Sequence, residues 1–148
     1  MTPRKYPTRP WVSAHAIIFN KKQEILLTKR AASPKKNFWF PPGGVIDLGE
    51  TVISGLKREI MEETNIRVTN FHFNDYIDGL TYDKEGRILY HFVVFIFTAN
   101  YLDGKVEAKD DALEAKWFSI EDIISRKVLV TDEFIQITNR LANNTTLS

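Results

Sequence analysis

The sequence predicts an α/β sandwich built on a mixed β-sheet. Three observations carry that expectation. Apolar, β-rich runs recur at Trp11–Phe19 (WVSAHAIIF) and Ile88–Ala99 (ILYHFVVFIFTA), the second hydrophobic enough to lie at the centre of a sheet. Between them the proline-free segment from Thr51 to Thr64 carries Ile53, Leu56 and Ile60 at helical spacing. A second helical segment follows from about Asp132 to Leu141.

Taken in order, residues 1–10 contain three prolines and read as an extended arm, whose Arg4, Lys5 and Arg9 are expected to be solvated charges, with an acidic ligand or a second subunit as the alternative. The single domain is expected over residues 11–142. Trp11–Phe19 and Glu24–Lys29 read as a hairpin turning at Asn20-Lys21-Lys22, and Arg30 ends its second strand beside the loop Ala31–Asn37. Phe38-Trp39-Phe40 carries enough aromatic surface to demand burial or a ligand, with burial expected for Trp39. The helix is preceded by the turn Pro41-Pro42-Gly43-Gly44 and capped by Thr51. A short strand over Ile66–Val68, a second over Phe71–Tyr82 and a turn at Asp83–Gly86 lead to the long strand. A polar loop at Ala108–Leu113, a short strand at Glu114–Phe118 and a helix over Ile120–Arg126 capped by Ser119 complete the core, and residues 143–148 are expected to fray.

Composition narrows the function classes. The 148 residues are 43% hydrophobic and 12% aromatic, which suits one core and leaves no room for a second domain. The formal net charge of +1 gives no electrostatic case for coating nucleic acid or adsorbing to a membrane. Without cysteine there is neither a disulfide nor a thiolate metal site. No apolar run reaches the roughly 20 residues a membrane span needs, and the basic N-terminus lacks a signal-type apolar core, so a cytoplasmic location is expected.

The chemistry concentrates in the central helix. At about 100° per residue, Glu59, Glu62 and Glu63 share one face, where three carboxylates repel. Protonation, pairing with basic side chains or a divalent cation among them would each relieve that repulsion. Oxygen-only ligands select a hard ion such as magnesium, which keeps water and substrate phosphates as its remaining ligands. Arg58 could hold one of the acids by a bidentate pair. A solvated face of good helix formers would read the same way, and the residues ahead of the helix decide between the two. The Gly43-Gly44 pair lets backbone approach a ligand closely, so the Gly44 carbonyl is a further candidate metal ligand.

From Gly44 onward the stretch resembles the Nudix box: glycine, five residues, glutamate, seven residues, Arg-Glu, an apolar residue, any residue, Glu-Glu, any residue, glycine, an apolar residue. Here these positions are Gly44, Glu50, Arg58, Glu59, Ile60, Glu62, Glu63, Asn65 and Ile66. Only Asn65 departs, standing where the family has glycine; asparagine is the side chain that best tolerates a left-handed helix end after glycine. Six fixed polar or glycine positions make a random match rarer than about one in 10⁵.

The resemblance implies the α/β/α Nudix fold and hydrolysis of a phosphoanhydride with Mg2+, or Mn2+ in its place. It implies Glu59, Glu62 and Glu63 as metal ligands together with the Gly44 carbonyl, Glu59 as an alternative general base, and Arg58 with Glu50 as orienting residues. It also implies a further carboxylate from the loop before the last strand, for which Glu114 is the candidate with Asp110 and Asp111 as neighbours, and a basic residue facing the substrate phosphates, for which Arg30 is the candidate. Tyr82 stands near a position that the family associates with diadenosine polyphosphate hydrolysis. The layout as a whole resembles small ADP-ribose pyrophosphatases and MutT-like hydrolases, so a nucleotide-derived small molecule is the expected ligand, with an ADP-ribose-like substrate favoured. Hydrolysis of normal or oxidised nucleoside triphosphates and a nucleotide sensor without turnover are the alternatives, and a homodimer is left open. His15, His72 and His91 fall within expected strands, where packing or surface roles are expected.

Overall fold

A computed structural model describes the backbone of residues 4–147 and the side chains of residues 4–144. Seven strands, β1 (Trp11–Phe19), β2 (Ile25–Arg30), β3 (Trp39–Phe40), β4 (Gly43–Val45), β5 (Arg67–Tyr82), β6 (Ile88–Asp103) and β7 (Ala112–Phe118), form one mixed sheet. Its main path runs β3-β2-β1-β6-β5, with β4 paired to β1 and β7 to β2. Three helices, α1 (Val52–Thr64), α2 (Ile120–Ile124) and α3 (Asp132–Leu147), flank it.

Strand alternation sorts the core into two layers. On β1, Ala14, Ala16 and Ile18 turn to α1 and pack with Leu56 and Ile60. Ile17 turns the other way, towards Ile123, Phe134, Ile135 and Ile137 of α2 and α3. Leu26 and Leu27 on β2 divide likewise. Burying side chains of this size stabilises the fold by about 1.5–3 kcal/mol each. The result is the α/β/α sandwich that the sequence implies.

The first hairpin differs from expectation. β1 and β2 are joined antiparallel at Phe19 and Ile25 and then diverge. Along its length β1 pairs instead in parallel with β6, from Trp11 opposite Phe92 to Phe19 opposite Asn100, and antiparallel with β4 over Ser13–His15. β2 pairs with β3 and β7. Local sequence favours a hairpin, but both strands are buried and each gains more partners by separating. The expected turn at Pro41–Gly44 therefore contains a strand, and the splay between β1 and β2 opens a cleft.

Other bounds shift less. Ile66–Val68 and Phe71–Tyr82 merge into β5, whose irregular register around Asn70 accounts for the apparent break. β6 continues to Asp103, α2 stops at Ile124, and α3 extends to Leu147 instead of fraying after Leu141. Residues 1–3 of the expected arm and Ser148 of the expected frayed end lie outside the described residues. No helix among the described residues is long and apolar enough to cross a membrane.

Candidate active site

The cleft, of about 260 Å³, is lined by Glu59 and Glu63 of α1, Gly43 and Gly44 of β4, Arg30 of β2, and Ser13 and His15 of β1; Tyr90 and Phe92 of β6 line it farther along the sheet. α1 is set in place at both ends. The Thr51 hydroxyl accepts the Ser54 amide at 3.1 Å, and Asn65 ends the helix in a left-handed conformation with φ 64°. The following segment then fastens the helix terminus, because the amides of Glu107 and Lys109 donate to the Thr64 and Glu63 carbonyls at 3.1 and 2.9 Å. Those bonds satisfy carbonyls the helix itself leaves unpaired.

Arg58 organises acids both at the cleft and behind it. Its Nε and Nη2 grip Glu50 at 2.8 and 2.9 Å, while Nη1 donates to Glu59 at 3.1 Å and to Glu62 at 3.1 Å. It also pairs with Asp47 at 3.3 Å. Hydrogen bonding to Arg58 holds the Glu50 carboxyl down to about 2, and Glu50 in turn accepts the Asp47 amide at 2.8 Å. Arg58 thus restrains four carboxylates where the sequence suggested one.

Glu63 faces inward. Its carboxylate accepts the Gly43 amide at 2.8 Å, yet burial, reinforced by the negative charge of Glu59, pushes its pKa up to about 8. Burial also raises Glu59, against the opposing pull of Arg58. A Cβ on Gly44 would stand 2.5 Å from the Glu59 carboxyl carbon, so only glycine admits this close approach. Arg30 donates through Nε to the Pro34 carbonyl at 2.8 Å, and the opposing charges of Glu63 and Asp111 partly offset its burial.

The structure brings Arg30, Gly44, Glu59 and Glu63 to the cleft, with Arg58, Glu50 and Glu62 behind them. It does not bring Glu114 there. Glu114 pairs with Lys29 at 3.6 Å and Lys116 at 3.1 Å, because the alternation of β7 and β2 puts it on the face opposite Thr28 and Arg30. Asp111, three residues earlier, lines the cleft instead. Tyr82 also stays outside. It is 57% exposed, and a register shift after Thr81 leaves Thr81, not Tyr82, at the cleft. Sequence reasoning missed Ser13, His15, Tyr90 and Phe92 as lining groups; the odd-numbered alternation of β1 was the available signal for the first two, and Arg4, expected to be solvated, also lines the cleft.

The donors available at Glu59, Glu63 and the Gly44 carbonyl are all hard oxygens. Two neighbouring carboxyls whose proton affinity is raised by burial form the arrangement that a divalent cation relieves, so the residues present fit such an ion. Among the described residues no three acidic, histidine or cysteine side chains already converge as ligands, so Glu62 would have to leave Arg58 to join them.

The mixed sheet sandwiched between helices is a fold shared with other solved structures. The structure superposes on the MutT protein of Methanosarcina mazei Go1 with a TM-score of 0.74 at 22% identity, covering 93% of this chain and 97% of that one. It superposes on the NUDIX domain of Shewanella oneidensis NrtR, solved with ADP ribose, with a TM-score of 0.73 at 18% identity, covering 93% and 90%.

The NUDIX domain family matches residues 9–136, and the chain belongs to that family. An ADP-ribose pyrophosphatase of Methanocaldococcus jannaschii is 32% identical over 114 residues, 77% of this chain and 64% of the relative. The chain spans less than two thirds of the length of the first curated relatives it matches. Nudix hydrolases generally need a divalent metal.

Proposed function

We propose that this protein is a magnesium-dependent pyrophosphohydrolase that cleaves the phosphoanhydride of a nucleoside diphosphate derivative, with an ADP-ribose-like substrate favoured. The observation that carries this reading is the convergence of Glu59, Glu63, Gly44 and Arg30 on one cleft. The relative named as an ADP-ribose pyrophosphatase supports the choice of substrate. The active unit is read as residues 11–142 with residues 1–10 as its arm.

In this reading Glu59, Glu63 and the Gly44 carbonyl hold the ion, with Glu62 as a further ligand. Once bound, the ion neutralises phosphate oxygens and lowers the pKa of the attacking water. Arg30 presents its guanidinium to the diphosphate and orients it for in-line attack. Arg58 keeps Glu59 from swinging away and releases Glu62 to the ion, and Glu50 keeps Arg58 in place. Glu59, where it does not hold the ion, takes the proton from the water. Attack at phosphorus breaks the bridging P–O bond, so ADP-ribose would yield AMP and ribose 5-phosphate.

The second reading is MutT-like hydrolysis of a normal or oxidised nucleoside triphosphate, supported by the MutT neighbour whose length the chain covers almost completely. Product analysis with magnesium against ADP-ribose, diadenosine polyphosphates, nucleotide sugars and both kinds of triphosphate separates the readings. ADP-ribose is expected to lead in kcat/KM, with activity lost in Glu62→Gln. A triphosphate far ahead would select the second reading, and binding without turnover under any divalent metal would indicate a sensor.

A further inference from the structure

The segment preceding β1 folds back on the β5–β6 turn and reaches the cleft. The Tyr6 amide donates to the Leu89 carbonyl at 2.9 Å, and its hydroxyl donates to Asp83 at 2.9 Å. Arg87 completes this clasp: its Nε donates to the same Asp83 oxygen at 2.9 Å, and its guanidinium lies 4.8 Å from the Tyr6 ring centroid. Two residues before the clasp, Arg4 stacks over the Trp11 indole at 4.6 Å and lines the cleft. Its charge meets an aromatic face and not a carboxylate.

The neighbourhood of Arg4 has a distinct chemistry. The cleft floor there is Gly79, Thr81, Tyr90 and Phe92. Gly79 contributes no side chain, Tyr90 and Phe92 lie with their rings 22° apart, and the Thr81 hydroxyl oxygen is buried without a hydrogen-bond partner. Trp11 lies four residues along β1 from His15, the register partner of Gly43 beside Glu63. At ~3.3 Å per residue this puts Trp11 roughly 13 Å from Gly43 along the sheet. A ligand anchored at the acids by its diphosphate would extend its non-reacting part over this floor. A flat apolar recess with one unsatisfied hydroxyl and a planar cation at its rim suits a nucleobase, since bases stack on aromatic rings and on guanidinium planes alike.

We propose that Arg4, carried by the arm and positioned by the Tyr6–Asp83–Arg87 clasp, is a specificity-determining residue that stacks on the substrate's base at the outer end of the cleft. This rests on the nucleotide reading above and adds to it that the arm belongs to the binding site. Tyr6 is a positioning residue acting through Arg4.

The test compares two ligands that share a sugar phosphate and differ in the base, AMP and ribose 5-phosphate, by calorimetric titration of the full chain with magnesium. Arg4→Gln is expected to raise the Kd for AMP about tenfold, as loss of one stacking contact does, and Tyr6→Phe to raise it several-fold. The double variant should match Arg4→Gln alone, and ribose 5-phosphate should bind all four proteins equally. Thermal midpoints read alongside show that the variants are folded. Equal weakening of both ligands would make Arg4 a phosphate contact and overturn the proposal, as would an unchanged Kd for AMP or failure of AMP to bind the wild type. Failure of the hydrolase reading shows separately, as intact ADP-ribose in a protein that still discriminates AMP through Arg4.

Discussion

Glu63 on α1 accepts a hydrogen bond at 2.8 Å from the amide of Gly43 on β4, a contact across twenty residues of sequence. It ties the acid-bearing helix to the glycine turn, and it holds a buried carboxyl at the edge of the cleft in one orientation. Removing its charge without changing its shape separates what the carboxylate does for folding from what it does for the ion. In Glu63→Gln the amide oxygen still accepts from Gly43 while the cost of burying a charge disappears. The metal-free thermal midpoint should not fall, whereas turnover should drop by roughly 100-fold or more. A lowered midpoint with normal turnover would make Glu63 structural.

Glu62 is the exposed member of the trio and is bonded to Arg58. Glu62→Gln should leave the fold unchanged and cut turnover severely. Near-normal rates at saturating magnesium would remove Glu62 from the ligand set.

The two glycines ahead of α1 should respond differently to alanine. At Gly43 a Cβ would meet the Ala14 carbonyl oxygen at 2.1 Å, within the β1–β4 pairing, so Gly43→Ala should destabilise by more than about 4 kcal/mol. At Gly44 the Cβ meets only the Glu59 carboxyl group, which can swing aside. Gly44→Ala should keep its denaturation midpoint and lose roughly 100-fold in turnover through the displaced acid. Equal loss of stability in both would show that Glu59 cannot move.

Asn65 does more than accept a left-handed backbone. Its side chain donates to the Lys105 carbonyl at 3.1 Å and accepts from Lys109 at 3.2 Å. Glycine there gains conformational ease and loses two exposed hydrogen bonds, so Asn65→Gly should change stability by less than about 1 kcal/mol. Asn65→Ala, which loses both bonds and fits the backbone poorly, should cost about 1–2 kcal/mol. Urea denaturation of the pair checks both, and equal effects would contradict the backbone argument.

His15 gives a pH signature. Its Nδ1–H donates to the Pro41 carbonyl at 2.8 Å, and burial brings its pKa down to about 4. The unfolded chain takes up a proton near 6.5 and the folded chain only near 4, so this contribution is complete above about pH 6.5 and is lost as pH falls towards 4. The full loss is roughly 3 kcal/mol. His15→Gln should flatten the stability profile over that window by a comparable amount, measured as the difference between the two proteins in urea. Parallel profiles would mean that His15 titrates normally.

The central helix, its caps and its acids were legible in the sequence because they follow from local periodicity and capping chemistry. Thr51 and Asn65 terminate α1 as their side chains dictate, and the spacing of Arg58, Glu59, Glu62 and Glu63 alone points to a charged face. The sandwich class was legible for the same reason, since alternation and helical period decide which residues must be buried. What the tertiary structure decided is which strands meet and therefore what lines the cleft. The pairing of β1 with β6, 81 residues away at Trp11 and the same separation apart in register at every later step to Asn100, is long-range and leaves no local trace. That pairing separates β1 from β2 and admits β4, while the β2–β7 and β5–β6 registers put Asp111 and Thr81 at the cleft in place of Glu114 and Tyr82. A strand's side chains alternate with period two, so a single shift of register reverses which residue faces the cleft, and sequence spacing alone does not specify that register.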